Sequence, residues 1–479
     1  MRVLRPRRRL NPVHKSPAPA PSPSTLRELR ESGHVHRSVK AEIRANLLAR
    51  LRTGETRFPG IVGFDETVLP HLERALIAGH DLVLLGERGQ GKTRLIRTVI
   101  GLLDEWTPVI QGCEINDHPF APVCARCRGL AEDEIKVVWK HRTERYGEKL
   151  ATPDTSVGDL IGDVDPIKLA EGRTLGDPET VHYGLVPRTN RGVFSVNELP
   201  DLAERIQVAL LNVLEERDIQ VRGYTLRLPL DILLIASANP EDYTNRGRII
   251  TPLKDRFGAE VRTHYPSSIE DELALIRQEV IPDIGADVPE HLVEVIARFT
   301  RLVRDSTAVD TRSGVSARFS IAAAETAAAS AVRRAALTGE ERPVARVCDL
   351  PGVVYTLRGK VEFEVSEEGR EVEVLAHLLR RATAETFRST LGGLELGALL
   401  DKFAEGAQIE SGELVSATEL LRRIGPVDGL AKIMSRLGMG EGDESPGHAA
   451  AALEFALEGL YLMRRLSKDD VAGGSVYRT

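Results

Sequence analysis

The sequence predicts an α/β fold built around a parallel sheet and followed by a mostly helical region. The first indication is a glycine-rich motif, Gly86-Glu-Arg-Gly-Gln-Gly-Lys-Thr93, which lies between an apolar run at residues 81–85 and a helical pattern. The second is a pair of further apolar runs, residues 192–198 and 231–239, which have the length of buried parallel strands. After about residue 265 the apolar residues recur mainly with helical spacing.

The glycine-rich motif has the spacing of a phosphate-binding loop. Its glycines let the backbone N–H groups curve round a phosphate, and the amino terminus of the next helix adds partial positive charge. In such a loop Lys92 reaches the β- and γ-phosphates, and the Thr93 hydroxyl ligates Mg²⁺. The alternative is a chance glycine turn. We expect a purine nucleoside triphosphate to bind all residues of this loop: Gly86, Glu87, Arg88, Gly89, Gln90, Gly91, Lys92 and Thr93.

Composition indicates a soluble protein with more than one domain. The chain has 479 residues, with 42% hydrophobic and 28% charged residues, which suits two or three globular domains. No apolar run approaches the roughly 18 residues of a membrane helix, and the amino terminus lacks the apolar segment of a signal peptide. Four cysteines are too few for a disulfide framework, so we expect a cytoplasmic location.

Residues 1–25 are expected to form a disordered basic and Pro-rich arm. Residues 1–15 hold six basic residues and no acidic one, whereas the whole chain has a net charge of −7. Such an arm can touch nucleic acid or an acidic partner, but a solvated tail is the commoner outcome. Because the folded part is acidic, we do not expect nucleic acid to be bound.

The remaining chain divides into four predicted regions. Leucines and isoleucines at helical spacing predict amino-terminal helices, interrupted near Gly33. The expected regions are these helices at residues 26–57, a nucleotide-binding domain at 58–265, a helical lid at 266–345 and a mostly helical carboxyl-terminal domain at 346–479.

Three cysteines follow a predicted second strand at residues 109–112. Cys113, Cys124 and Cys127 lie in the pattern C-x10-C-x-x-C, with His118 between them and His141 beyond. Three thiolates and one imidazole would form a tetrahedral structural zinc site. The alternative is a cysteine-lined loop without metal. Redox chemistry is not expected, because no thioredoxin-like unit surrounds the pair.

Two of the predicted strands end in polar residues. Many turn formers in residues 150–191 predict loops, and a helix at residues 201–216 precedes a hairpin at 219–228. Open parallel sheets carry their sites at the carboxyl edge. We therefore expect Glu198 and Asn239, which follow the apolar runs, to lie near the phosphate loop.

The helical region contains one predicted exception. Residues 319–337 read as an alanine-rich helix, and the last 100 residues read as further helices. Between them, residues 361–365 and 372–374 alternate apolar and acidic residues and predict a hairpin.

Several motifs follow one another in a fixed order, namely Gly60-Ile-Val-Gly63, the phosphate loop, Tyr183-Gly-Leu-Val-Pro-Arg-Thr-Asn-Arg-Gly192, Asn197-Glu198, the hairpin, Ala238-Asn-Pro240 and Leu253-Lys-Asp-Arg-Phe257. In this order they resemble the motifs of the magnesium-chelatase ATPase subunit and its MoxR-type relatives among the AAA+ ATPases. The resemblance spans about residues 58–335 and implies a P-loop AAA+ fold, a five-stranded parallel sheet with flanking helices, and a helical lid.

The resemblance also implies roles for individual residues. Lys92 and Thr93 correspond to Walker A, and Asn197 and Glu198 to the Walker B pair. Asn239 corresponds to sensor 1, which orients the attacking water.

Two arginines complete the implied site. Arg256 matches the arginine finger that a neighbouring subunit supplies in trans, and Arg318 matches sensor 2 on the lid. An isolated arginine of this kind is more often a surface or ion-pairing residue.

Asn197 departs from the family, which usually has Asp at this position. An amide offers Mg²⁺ an acceptor oxygen without charge, so weaker metal binding is expected. Glu198 remains as the base that activates water, and it favours ATP hydrolysis. The alternative is a nucleotide-gated scaffold that hydrolyses ATP poorly.

The resemblance implies a hexameric ring that remodels or activates a partner protein, often one with a von Willebrand A domain. Two alternatives stay open. One is magnesium chelatase activity, which inserts Mg²⁺ into a porphyrin. The other is a DNA-bound regulator, since enhancer-dependent transcription activators share this ATPase class, but no helix-turn-helix is evident.

Overall fold

The computed structural model describes most of the chain in two compact units, residues 18–264 and residues 265–479. The residues described are 18–165, 167, 170–171, 180–215, 219–221, 224–226, 228–240, 248–280, 284–310, 314–404, 406–440, 445–471 and 473–479.

The first unit is built on a five-stranded parallel sheet, as predicted. Its strand order is β11-β1-β10-β7-β4, and every adjacent pair is parallel. The strands described in this unit are β1 Leu82–Leu85, β2 Trp106–Ile110, β3 Val137–His141, β4 Tyr146–Leu150, β5 Gly162–Val164, β6 Val181–Tyr183, β7 Gly192–Asn197, β8 Ile219–Val221, β9 Tyr224–Leu226, β10 Ile232–Ala238 and β11 Ala259–Arg262.

Helices cover both faces of this sheet, which explains its apolar sequence. Every residue of β1, β7 and β10 is buried, as expected for parallel strands with two covered faces. The α-helices of the unit are Leu26–Glu31, Val39–Thr53, Val68–Ala78, Lys92–Val99, Ala125–Arg128, Val157–Leu160, Leu185–Arg188, Glu204–Glu215 and Thr251–Arg256, and the 3-10 helices are Ile100–Leu102, Arg142–Arg145 and Leu199–Asp201.

The predicted second strand lies outside the main sheet. β2 pairs with β3 in an antiparallel ribbon, and the fifth strand of the main sheet is β4. The prediction missed β4 because its sequence, Tyr-Gly-Glu-Lys-Leu, has no apolar run and the strand lies partly exposed at the edge of the sheet.

Buried ion pairs fix the helix Val39–Thr53 to the first unit. Glu42 and Arg145 form two hydrogen bonds of 2.7 Å, and both side chains are buried. Lys40 Nζ donates to Asp81 Oδ2 at 2.8 Å, and the other Asp81 oxygen accepts from the Leu234 backbone in β10 at 2.9 Å. The helix is therefore tied to the sheet that carries the phosphate loop.

The last residues of the predicted amino-terminal arm contact the β2–β3 ribbon. Trp139 Nε1 donates to the Pro23 carbonyl at 2.8 Å, and Trp106 Nε1 donates to the Ala18 carbonyl at 2.9 Å. Residues 1–17 lie outside the described part of the chain.

The second unit is mainly helical. Its α-helices are Ile269–Glu279, Glu290–Arg304, Ala317–Thr338, Pro351–Leu357, Glu371–Thr390, Gly397–Ala404, Ala417–Ile424, Leu430–Arg436 and Pro446–Leu462, and its 3-10 helices are Val347–Asp349, Arg358–Lys360 and Val365–Glu367. The alanine-rich segment is the helix Ala317–Thr338, as predicted, with alanines on its buried face. Among the described residues, no helix of either unit is long and apolar enough to cross a membrane.

Two predictions for the second unit were wrong. The segment expected to form a hairpin contains the 3-10 helix Val365–Glu367 and the start of the helix Glu371–Thr390, whose apolar face packs into the core. The carboxyl-terminal end also contains an antiparallel sheet in the order β12-β14-β13, where the prediction had only helices. Its strands are β12 Ile409–Gly412, β13 Ser467–Val471 and β14 Gly474–Arg478.

Candidate active site

The phosphate loop connects β1 to the helix that begins at Lys92. Gly89 and Gly91 have φ angles of 74° and 77°, a left-handed conformation that glycine adopts without strain. Gly86 has no room for a side chain, because a Cβ there would overlap Thr263 Oγ1 and Gln90 Oε1. Those two atoms share a hydrogen bond of 2.8 Å, which ties the loop to the end of β11.

Lys92 starts a chain of hydrogen bonds that crosses the edge of the sheet. Its Nζ is buried and donates to Asn239 Oδ1 at 2.8 Å, to the Glu87 carbonyl at 2.8 Å and to the Gly86 carbonyl. Asn239 Nδ2 then donates to Glu198 Oε2 at 2.7 Å. The structure thus brings together three residues that the sequence placed on different elements.

The strand order explains this convergence. β1 lies next to β10, and β10 lies next to β7, so the loop, Asn239 and Glu198 follow three adjacent parallel strands at their carboxyl ends. Glu198 has a left-handed backbone with a φ of 58°, and its N–H donates to Ser237 Oγ at 3.3 Å. Such backbone strain in a residue other than glycine is typical of functional sites.

Asn197 lies against a carboxylate that the sequence did not reveal. Its Nδ2 donates to Glu148 Oε1 at 2.7 Å, and its Oδ1 accepts from Ser237 Oγ at 3.3 Å. Glu148 lies on β4 and also accepts from Arg97 at 3.0 and 3.1 Å and from the Tyr146 hydroxyl at 2.9 Å. The hydrogen bond with Glu148 raises the pKa of Arg97.

Glu148 could have been found only by placing β4 in the sheet. Residues of β4 pair with β7 so that Leu150 lies opposite Asn197 and Glu148 lies opposite Ser195. The side chain of Glu148 therefore points to the same face of the sheet as the side chain of Asn197, two residues away in register.

The two predicted arginines each make local contacts within their own unit. Arg256 ends the helix Thr251–Arg256, and its Nη2 donates to Glu215 Oε1 at 2.6 Å, with both side chains more than a third exposed. Arg318 belongs to the second unit, where its backbone N–H donates to the capping Ser316 Oγ at 3.1 Å. The finger and sensor roles of these arginines stay predictions.

The cysteine pattern forms a compact cluster with an unexpected fourth member. Sulfur atoms of Cys113, Cys124 and Cys127 and a carboxylate oxygen of Asp117 all lie within 4.8 Å of one another. Hydrogen bonds from the other two thiols lower the pKa of Cys113 to about 2. Asp117 could not be predicted as a member of the cluster, because a single aspartate in a polar loop belongs to no recognisable motif.

Neither predicted histidine belongs to this cluster. His118 Nε2 lies 3.2 Å from His34 Nε2, and its Nδ1 accepts from the Phe120 backbone at 3.0 Å. His141 Nδ1 lies 2.8 Å from Thr143 Oγ1 and caps the 3-10 helix Arg142–Arg145. The fourth member of the cluster is therefore a carboxylate, whereas an imidazole was expected.

Comparison with known proteins finds relatives for parts of the chain. Residues 174–256 match the family described as the Sigma-54 interaction domain. The Magnesium-chelatase subunit ChlI of Synechocystis sp. is 31% identical over 232 residues, which are 46% of this chain and 61% of that protein. These similarities relate the chain to the magnesium-chelatase ATPase subunits among the AAA+ ATPases.

Another relative of this ATPase is the Magnesium-chelatase 38 kDa subunit of Cereibacter sphaeroides, 27% identical over 48% of this chain and 65% of that protein. The chain thus spans about three fifths of the length of the curated relatives it matches. A solved complex of the BchI and BchD subunits of magnesium chelatase covers 66% of this chain and 98% of the matched chain, with 22% identity and a TM-score of 0.36. At that score the superposition adds nothing to the strand order described above.

Proposed function

We propose that this AAA+ protein binds and hydrolyses ATP and uses the energy to remodel or activate a partner protein. The observation that supports hydrolysis best is the chain of hydrogen bonds from Lys92 through Asn239 to Glu198. It places a carboxylate that can act as a base beside a loop built to hold phosphates.

Lys92 is stabilised in its buried position by oxygen acceptors of the described residues. Its partners are two loop carbonyls and the Asn239 amide oxygen. Bound ATP would replace these acceptors with β- and γ-phosphate oxygens, which carry full charge and make stronger hydrogen bonds. Asn239 then orients the attacking water, and Glu198 accepts its proton.

The residues near Asn197 fit a magnesium ion bound with the nucleotide. Mg²⁺ takes oxygen ligands, and the Thr93 hydroxyl and the Asn197 amide oxygen are of that kind. When bound, Mg²⁺ would neutralise charge on the phosphates. Glu148 would supply the negative charge that Asn197 lacks, because its Oε1 lies 2.7 Å from Asn197 Nδ2.

The full site would need a second subunit. Arg256 lies on the surface in an exposed ion pair with Glu215 and can be presented to a neighbouring molecule. We therefore propose a hexameric ring in which Arg256 reaches the γ-phosphate of the adjacent subunit, and Arg318 responds to nucleotide from the lid. The backbone hairpin of β8 and β9 is the candidate surface for transmitting motion to the client.

The partner is proposed from resemblance alone. A MoxR-type ATPase would act on a protein with a von Willebrand A domain, and a chelatase subunit would drive Mg²⁺ into a porphyrin. The match to the Sigma-54 interaction domain over residues 174–256 favours a further candidate, activation of a transcription initiation factor. A scaffold that hydrolyses ATP poorly remains the alternative if Asn197 weakens the magnesium site too far.

Capture of the client in ATP and Mg²⁺ tests this proposal. The Glu198→Gln variant should hold a partner that the wild-type protein releases, because the variant binds ATP without cleaving it. The Lys92→Ala variant, which loses the phosphate contacts, should recover none. Equal recovery with both variants would contradict ATP-dependent remodelling. Insertion of Mg²⁺ into porphyrin, assayed with the captured partner, then separates a chelatase from the other candidates.

A further inference from the structure

A loop between β2 and β3 gathers four potential metal ligands. The three sulfurs and the Asp117 oxygen lie within 4.8 Å of one another. A tetrahedral zinc with Zn–S bonds of about 2.3 Å has edges of about 3.8 Å. The four atoms therefore need to approach by no more than about an ångström to surround one ion.

The carboxylate of Asp117 gives independent support for a cation at this position. The side chain is 1% exposed, and its Oδ1 has no hydrogen-bond partner. Its other oxygen accepts from the Cys124 backbone at 2.9 Å, which fixes the orientation of the group. Buried polar atoms are nearly always satisfied, so an unsatisfied oxygen beside three sulfurs indicates a missing bound partner.

Backbone amides also prepare two of the sulfurs to carry charge. The Cys127 N–H donates to Cys124 Sγ at 3.3 Å, and the Asp117 N–H donates to Cys113 Sγ at 3.3 Å. Hydrogen bonds of this kind stabilise a thiolate, and the thiolate is the form that binds metal.

We propose that Cys113, Asp117, Cys124 and Cys127 bind a structural zinc ion. Three soft thiolates select zinc over the hard cations Mg²⁺ and Ca²⁺, which prefer oxygen. All four tetrahedral positions come from the protein and three of the four residues are buried, which is the closed arrangement of a structural site. The proposal does not depend on ATP hydrolysis.

The ion would fix the loop that links the amino-terminal helix to the Walker B strand. Asn190, two residues before β7, donates to the Ile115 carbonyl at 3.0 Å, and Asn116 donates to the Arg188 carbonyl at 2.7 Å. On its other side the loop bears Glu132, which pairs with Arg30 at 2.8 Å. Zinc would hold these contacts in one geometry.

Metal analysis of the purified full-length protein, after dialysis without chelator, tests this proposal. We expect one zinc per chain in the wild type and in Cys348→Ser, whose thiol lies in the second unit. Cys124→Ser should retain less than a tenth of that amount. Iron in place of zinc, or the same zinc content in Cys124→Ser, would overturn the assignment.

Two further variants test the fourth ligand. Asp117→Asn should bind zinc at least tenfold more weakly in competition with a chelating dye, whereas His118→Ala should bind it as the wild type does. The reverse result would overturn the role of Asp117.

A measurement on the wild type covers the case in which variants fail to fold. Removing the metal with a strong chelator should make three thiols reactive that were protected before, and adding Zn²⁺ should protect them again. A wild type with a disulfide among these cysteines, or with three reactive thiols and no zinc, would contradict the proposal.

Discussion

Glu148 and Asn197 are best understood as a pair. The amide of Asn197 can offer an oxygen to Mg²⁺ but no charge, and the nearest compensation is the Glu148 carboxylate 2.7 Å from its nitrogen. The Glu148 hydrogen bond fixes the orientation of the amide, so its oxygen stays available. We therefore propose that Glu148 on β4 supplies the charge that the resemblance leads us to expect on β7.

Glu148→Gln should raise the Mg²⁺ concentration that ATPase activity requires. We expect the Mg²⁺ concentration for half-maximal turnover to rise about tenfold, a cost of about 1.4 kcal/mol, because the site loses its nearby negative charge. Steady-state turnover measured against free Mg²⁺ checks this.

Two companion variants distinguish charge from structure. Arg97→Gln breaks the ion pair with Glu148 but leaves the carboxylate, so it should not weaken the response to Mg²⁺. Adding Asn197→Asp to the Glu148→Gln variant should restore the wild-type response to Mg²⁺. If Arg97→Gln and Glu148→Gln behave alike, the role of Glu148 is structural.

The sequence revealed site residues only where a motif fixes their position. Lys92 stands in a spaced motif, and Glu198 and Asn239 end apolar strands, so their meeting point followed from sheet topology. Glu148 stands in a polar segment, and its partners Arg97 and Asn197 are distant in the chain. Asp117 lies close in sequence to the three cysteines, but no residue pattern distinguishes it from other polar loop residues.

At the scale of elements, the helix Val39–Thr53 is joined to the phosphate-binding domain by a buried ion pair. Glu42 contacts Arg145 through both oxygens and also accepts from the Asp104 backbone at 2.6 Å. Breaking such a pair leaves an uncompensated buried charge, which is far costlier than losing a surface pair.

Glu42→Ala should therefore lower the free energy of unfolding of the first unit by about 3–5 kcal/mol. Denaturant unfolding, followed by the fluorescence of Trp106 and Trp139, measures it. The control is Glu31→Ala, whose ion pair with Arg27 is largely exposed and should contribute less than about 1 kcal/mol. Similar losses in both variants would contradict the special role of the buried pair.

Element prediction succeeded in the core and failed at edges. Buried strands such as β1 and β10 have continuous apolar sequences, which predict a buried parallel strand directly. β4 and β13 are edge strands with sequences as polar as Ser-Lys-Asp-Asp-Val, so the sheet they join decides their conformation. The predicted hairpin was wrong for a different reason. The apolar residues of its second predicted strand also fit the buried face of the helix Glu371–Thr390.

At the scale of the whole molecule, the proposed ring makes each active site the joint product of two subunits. Glu198 belongs to the subunit that binds ATP, whereas Arg256 would come from its neighbour. A head-to-tail interface of this kind closes into a ring and leaves every site with the same composition.

Mixing two inactive variants tests the shared site. Glu198→Gln and Arg256→Ala should each hydrolyse little ATP alone, but equal mixtures should recover about a quarter of wild-type turnover, because random neighbours restore complete sites at that frequency. Sedimentation should show the same ATP-dependent assembly for both. Mixtures as inactive as their components would contradict a site completed in trans.

The most direct test of the central claim is ATP turnover by the Glu198→Gln variant, with ATP binding measured on the same sample. We expect ATP binding to stay within a few-fold of wild type while turnover falls by at least about 100-fold, the contribution of a general base. Glu204→Gln, an exposed glutamate of the following helix, should change neither. Turnover unchanged in Glu198→Gln would contradict the claim that this carboxylate activates water.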